Sequence, residues 1–214
     1  MKLKILDIIF GETIDSDHGR IFLPVLFCIV LSSTTLSFFN HKTILIFGYP
    51  LHLSMGLIVF PLTFTLTNIM QELYGKLFAN TAVSYSFLCD TLLIFIAFIL
   101  SNLGERLDYF TVYKDPPTIM GMTFIFLWMS TLINTIMFEK LKNWGKSTFA
   151  RFFISSVLAE TSISIISIPT MMWKNNLTDG AFLSVLFIVL YKVISTFILS
   201  VIISVKMHWN THHQ

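Results

Sequence analysis

Six apolar runs dominate this 214-residue sequence, each close to the roughly 20 residues that a helix needs to cross a bilayer. They fall near 21–39, 51–70, 81–101, 118–138, 149–173 and 180–205. Inside lipid each run must satisfy its backbone polar groups within itself, so the helix is the expected form. A transmembrane barrel would instead need many short alternating segments. The expected fold class is all-α, a polytopic membrane helical bundle with six transmembrane helices. It divides into a tail at 1–20, a membrane domain at 21–205 and a tail at 206–214. In the short segment 40–50, residues 44–47 either dip into the membrane or form a small hairpin turn.

Composition narrows the function classes. Hydrophobic residues make up 55% and charged residues 12% of the chain, and mean hydropathy is +0.77. These values exclude a soluble globular domain, a disordered chain and a nucleic-acid binder. A net charge of +2 implies no polyanionic partner. The loops are too short to hold a separate catalytic domain. Cys28 and Cys89 lie inside apolar runs and read as core residues, with no disulfide scaffold and no metal site expected. No cleavable signal peptide is expected, because Asp7, Glu12, Asp15 and Asp17 interrupt the start of the chain.

Nine of the fourteen Lys and Arg residues lie in the two tails, in the loops after the second and fourth runs or, as Arg151, at the adjoining edge of the fifth run. The positive-inside rule therefore puts both termini in the cytoplasm. The longest loop, 102–117, with its Pro116–Pro117 pair, reads as a solvated connector or an outer lid.

Ionisable side chains at bilayer depth are costly and usually functional. Asp90, Glu160 and Lys192 are of this kind. Asp90 can hydrogen-bond Ser86 one turn earlier. In the fifth run Arg151, Ser155, Ser156, Glu160, Ser164 and Ser167 recur at steps that place Ser156, Glu160, Ser164 and Ser167 on one helix face. Such a stripe lines a cavity or packs against a neighbouring helix. Lys192, with Tyr191 before it and Ser195 and Thr196 after it, is the natural partner of Glu160, either directly or through a shared solute.

The second run reads FPLTFTLTNIMQELYGK. Pro61 inside it predicts a bend or break. Thr63, Thr65 and Thr67 are placed to satisfy the backbone groups that Pro61 frees, and Thr65, Asn68 and Glu72 share a face. A helix broken in this way exposes backbone to a solute at mid-membrane. Enzymatic readings lack support: there is no phosphate-binding Gly loop, no HExxH spacing and no Ser–His dyad at depth. His208, His212 and His213 read as a solvated tail.

The stretch FPLTFTLTNIMQELYGK resembles the second-span signature of the queuosine precursor transporter family, six-span bacterial membrane proteins of vitamin-uptake type. Phe60, Pro61, Thr63, Phe64, Glu72, Tyr74, Gly75 and Lys76 carry the match. Phe138–Lys142, Arg151 with Ser155 and Ser156, and Lys192 are similar to later family positions. The chain departs from the pattern at Asn68, where the family has an acidic residue, and around Glu160, where it has an amide. The resemblance implies import of a 7-deazaguanine, preQ0 or preQ1, across the bacterial inner membrane, with no cofactor. A carboxylate can accept from the two adjacent donors of such a base, and an ammonium or amide can donate to its carbonyl. Glu160, Lys192 and Asn68 supply that set, and Trp128 offers a ring for stacking. The other class of reading is a binding subunit that docks on an ATP-driven energising module. Spaced alanines that would form such a docking patch are missing from the first run, which carries Ser32, Ser33, Thr34, Thr35 and Ser37. The implied partners are a purine-like solute and the lipid bilayer, and a homodimer remains open.

Overall fold

The computed structural model describes residues 17–38, 41–46, 49–54, 56–103, 116–174 and 181–211. Six helices are present among them: α1 Asp17–Phe38, α2 Gly56–Tyr74, α3 Lys76–Leu103, α4 Pro116–Asn143, α5 Thr148–Lys174 and α6 Ala181–Thr211. A two-stranded antiparallel hairpin, β1 His41–Ile46 and β2 Tyr49–Ser54, stands between α1 and α2. Ile46 pairs with Tyr49 and His41 with Ser54, so only two residues connect the strands. The hairpin takes the first residues of the second apolar run, and the helix starts at Gly56 rather than near residue 51. Thr43, Ile44, Ile46 and Tyr49 favour strands, which explains why apolarity alone misplaced that boundary. The 102–117 lid and the histidine tail fall largely or wholly outside the described residues.

Among the described residues, four stretches are long and apolar enough to cross a membrane: 76–100, 124–143, 148–166 and 182–207. Gly19–Thr35 is a shorter apolar helix. Large apolar side chains on these helices face outward, Leu77 and Phe182 at 85% and 81% exposure. A water-soluble protein does not leave so much apolar surface open, and a bilayer covers it. The fold is a helical membrane bundle.

α2 stands at the centre of the bundle. It touches all five other helices, and Phe60, Phe64, Thr65, Thr67, Asn68, Met70 and Gln71 are all buried. Protein replaces lipid around it, so polar residues are tolerated there. The core forms where Leu23 and Phe27 of α1, Phe60 and Phe64 of α2, and Val83 and Phe87 of α3 meet.

Two glycines set the corners that align the helices. Gly75 alone separates α2 from α3, at φ 87°, with its N–H on Gln71 O at 3.1 Å and its carbonyl accepting from Ala79 N at 3.2 Å. Gly145, at φ 66°, closes α4. Its N–H donates to Lys142 O at 3.0 Å and the Lys146 N–H to Leu141 O at 3.1 Å, the paired pattern of a Schellman cap. Ser147 then caps α5 by accepting from Ala150 N at 3.3 Å. This short turn brings the end of α4 beside the start of α5.

Candidate functional site

The polar residues of α2, α4, α5 and α6 form three layers. The first lies at the α2–α3 corner. Glu72 meets Arg151 at 3.0 Å and Lys142 at 3.7 Å. Arg151 also donates to Thr148 Oγ1 at 3.0 Å. Arg20, at the start of α1, lies over the Tyr74 ring at 5.7 Å. The start of α1, the end of α2, the end of α4 and the start of α5 therefore share one end of the bundle, the end where the sequence concentrates its basic residues.

The second layer is one turn deeper along α2. Asn68 donates to Ser156 Oγ at 3.0 Å and Ser155 Oγ at 3.3 Å, and its carbonyl accepts from Asn134 Nδ2 at 2.8 Å. Ser156 donates to Asn134 Oδ1 at 3.5 Å. Gln71 donates to Glu139 Oε2 at 2.9 Å and to Thr135 O at 3.2 Å. Asn68, Asn134 and Gln71 have no exposed surface. These amides tie α2, α4 and α5 together.

The third layer contains Glu160, nine residues beyond Arg151 on α5, hence about 13 Å further along the helix. Glu160 Oε1 accepts from Thr196 Oγ1 at 3.1 Å, and Glu160 Oε2 is buried with no hydrogen-bond partner. Lys192 Nζ donates to Ser164 Oγ at 2.9 Å and sits 4.1 Å from the centre of the Phe60 ring. Ser164 in turn donates to the Glu160 carbonyl at 2.6 Å. Two opposite charges therefore lie in one buried layer within electrostatic reach of each other, with no ion pair within 4.0 Å between them.

The structure thus joins Asn68 with Ser156, Glu72 with Arg151, and Glu160 with the Lys192 region. The serine face is buried at Ser156, Glu160 and Ser164, while the Ser167 side chain lies outside the described residues. Three expected roles need correction. Of the bend or break expected at Pro61, the break does not occur, because the helix runs on through it. Thr63, Thr65 and Thr67 donate to the carbonyls of Phe60, Pro61 and Thr63, not to the Leu57 carbonyl that Pro61 leaves without its usual donor. Pro61 is the sixth residue of α2, so one backbone hydrogen bond is lost and the helix continues past it. Asp90 does not meet Ser86, which donates to Ala82 O; it accepts from Thr35 Oγ1 at 2.8 Å, in the α1–α3 interface and away from the layers. Trp128 is 47% exposed on the outside of the bundle, so the ring beside the charges is Phe60. Asn134 and Gln71 were not singled out from the sequence. The spacing of Ser130 and Asn134, one turn apart in an apolar run, was the available signal.

Opposite charges kept buried at depth mark a functional site in a membrane bundle and are characteristic of membrane transporters. Residues 54–204 match the family described as "Putative vitamin uptake transporter". That match spans most of the sequence, and the chain belongs to this family of multi-pass membrane uptake transporters. No curated protein and no solved structure gives a significant match.

Proposed function

We propose that this transporter imports a queuosine precursor, a 7-deazaguanine such as preQ0 or preQ1, across the bacterial inner membrane, acting as a solute carrier rather than as an enzyme. The observation that supports this reading is the unpartnered Glu160 Oε2 in the same layer as the Lys192 ammonium. A buried carboxylate oxygen with no donor costs free energy unless a ligand supplies one. A deazaguanine presents a ring N–H and an exocyclic amine side by side, which suit one carboxylate, and a carbonyl that suits an ammonium. Phe60, beneath Lys192, gives the base an apolar ring to approach. The Asn68–Asn134–Ser156 network holds α5 in register below.

Uptake of labelled preQ0 and preQ1 into cells unable to make either tests the assignment. Expression of the chain should restore accumulation of label in their tRNA. No uptake above that of cells carrying an empty vector sinks the cargo assignment.

A further inference from the structure

We propose that Asp90 is a proton-binding site that couples uptake to proton movement. The inference rests on the transporter class and not on the cargo.

Asp90 lies fifteen residues into α3, about 21 Å along the helix from Lys76, hence near mid-membrane. It is 5% exposed. Its Oδ2 accepts from Thr35 Oγ1 on α1 at 2.8 Å, the Ser32 hydroxyl of α1 lies close by, and its buried Oδ1 has no partner within 3.5 Å. α3 packs against α1, α2 and α4. Within 21–35, 59–71 and 124–138, the described parts of those helices at this depth, there is no Lys, Arg, His, Asp or Glu. The titratable groups beside Asp90 are two thiols, Cys28 on α1, within electrostatic reach, and Cys89, the preceding residue on α3. Glu160 shares its layer with the Lys192 ammonium; Asp90 has no counterpart. A permanent anion at this position would be uncompensated in a low-dielectric region, which is expensive. A carboxyl that gains and loses a proton avoids that state for part of each cycle.

Thr35 supplies the second half of the argument. Its hydroxyl lies 2.8 Å from Asp90 Oδ2 and 3.1 Å from the Leu31 carbonyl, yet it has one proton to donate. With Asp90 ionised, Thr35 donates across to α3. With a proton on Asp90, Thr35 can donate to Leu31 O within its own helix and accept from the acid. Proton binding at Oδ2 therefore rearranges the Thr35 link between α1 and α3. The proton arrives from the side of higher proton activity and leaves to the other, with no change in covalent bonding elsewhere.

Two measurements on the full chain in liposomes decide the matter. In the first, infrared difference spectra between acid and alkaline samples are taken with isotope-labelled aspartate. The other aspartates lie outside the six apolar runs, so a protonated carboxyl band in an apolar setting that shifts with the label and disappears in Asp90→Asn identifies this site. Thr35→Val should shift the same band without removing it. In the second, labelled preQ0 or preQ1 is supplied under an imposed inward proton gradient. Wild-type protein should accumulate the probe and lose accumulation with a protonophore. Asp90→Asn should lose accumulation while retaining exchange of internal for external probe. Absence of the band, gradient-driven accumulation by Asp90→Asn, or accumulation that follows sodium and survives the protonophore would overturn the proposal. If neither probe enters under any condition, the cargo assignment falls, and the infrared titration alone decides the proton site.

Discussion

Lys192 Nζ donates a hydrogen bond to Ser164 Oγ at 2.9 Å, and no ion pair within 4.0 Å joins it to Glu160. The two charges sit on α6 and α5 in one buried layer, yet each is held by a hydroxyl: Thr196 on Glu160 and Ser164 on Lys192. Direct pairing would consume the groups that a polar solute needs. Hydroxyl partners hold them in place and can be exchanged for a ligand.

This arrangement gives Glu160→Gln a definite expected outcome. The amide keeps the size and one acceptor but loses the charge and the second acceptor. Affinity for the deazaguanine should fall by about 1.5–3 kcal/mol, the scale of a hydrogen bond to a charged group, with thermal stability maintained. A purely charge-balancing Glu160 gives the opposite pattern: unchanged affinity, a lower melting temperature from the uncompensated ammonium, and recovery in the double change with Lys192→Met. Ligand binding and melting curves on the purified variants separate the two.

At the end of the bundle Glu72 is shared by Arg151 and Lys142, with side chains 14% to 35% exposed. Arg151→Ala should destabilise the protein by about 1–2 kcal/mol, between the exposed and buried limits for an ion pair, because Lys142 is left at the longer distance. Exchanging the charges, Glu72→Arg with Arg151→Glu, should recover part of the loss relative to either single change. Thermal unfolding in detergent provides the measurement, and a double variant no more stable than the single ones would count against a specific pair.

Gly75 turns the chain with φ 87°, and an added Cβ there would meet nothing within 4 Å. The cost of Gly75→Ala is therefore a backbone cost, about 1–2 kcal/mol for a left-handed residue. Gly75→Asn should cost less, since Asn tolerates that region. Equal melting temperatures for Gly75→Ala and wild type would contradict the strain assigned to this corner.

Both chain termini are expected on the cytoplasmic side. The basic residues Arg20, Lys142 and Arg151 converge at one end of the bundle, with Tyr74 and Glu72, and this end should face the positive-inside compartment. A C-terminal reporter that is active only outside the cytoplasm should remain silent. Activity from it would invert the topology.

The apolar runs made the bundle legible because lipid demands long unbroken stretches. They misplaced the start of α2, because residues 51–54 continue its apolar run but pair as a strand. Glu160, Lys192 and the serine face were legible because a charge at depth is conspicuous against apolar neighbours. Asn134 and Gln71 were not, because a neutral amide in an apolar run resembles ordinary helix packing until its partners are known. The Thr35 contact to Asp90 spans two helices, and no local pattern records it. The proline suggested a bend or break, and the helix runs on through it with the loss of one backbone hydrogen bond.

The enclosure of α2 has a consequence for how this chain enters a membrane. Asn68, Gln71 and Glu72 of α2 take their partners from α4 and α5, and all the other helices surround this one. Sequential release from the insertion machinery, one helix at a time, would strand it. Gly75 leaves only one non-helical residue between α2 and the apolar α3, so the two can be inserted as a single hairpin, the second leg drawing in the first. Assembly would then begin from that hairpin, with α1 covering it from one side and α4 to α6 closing around the rest.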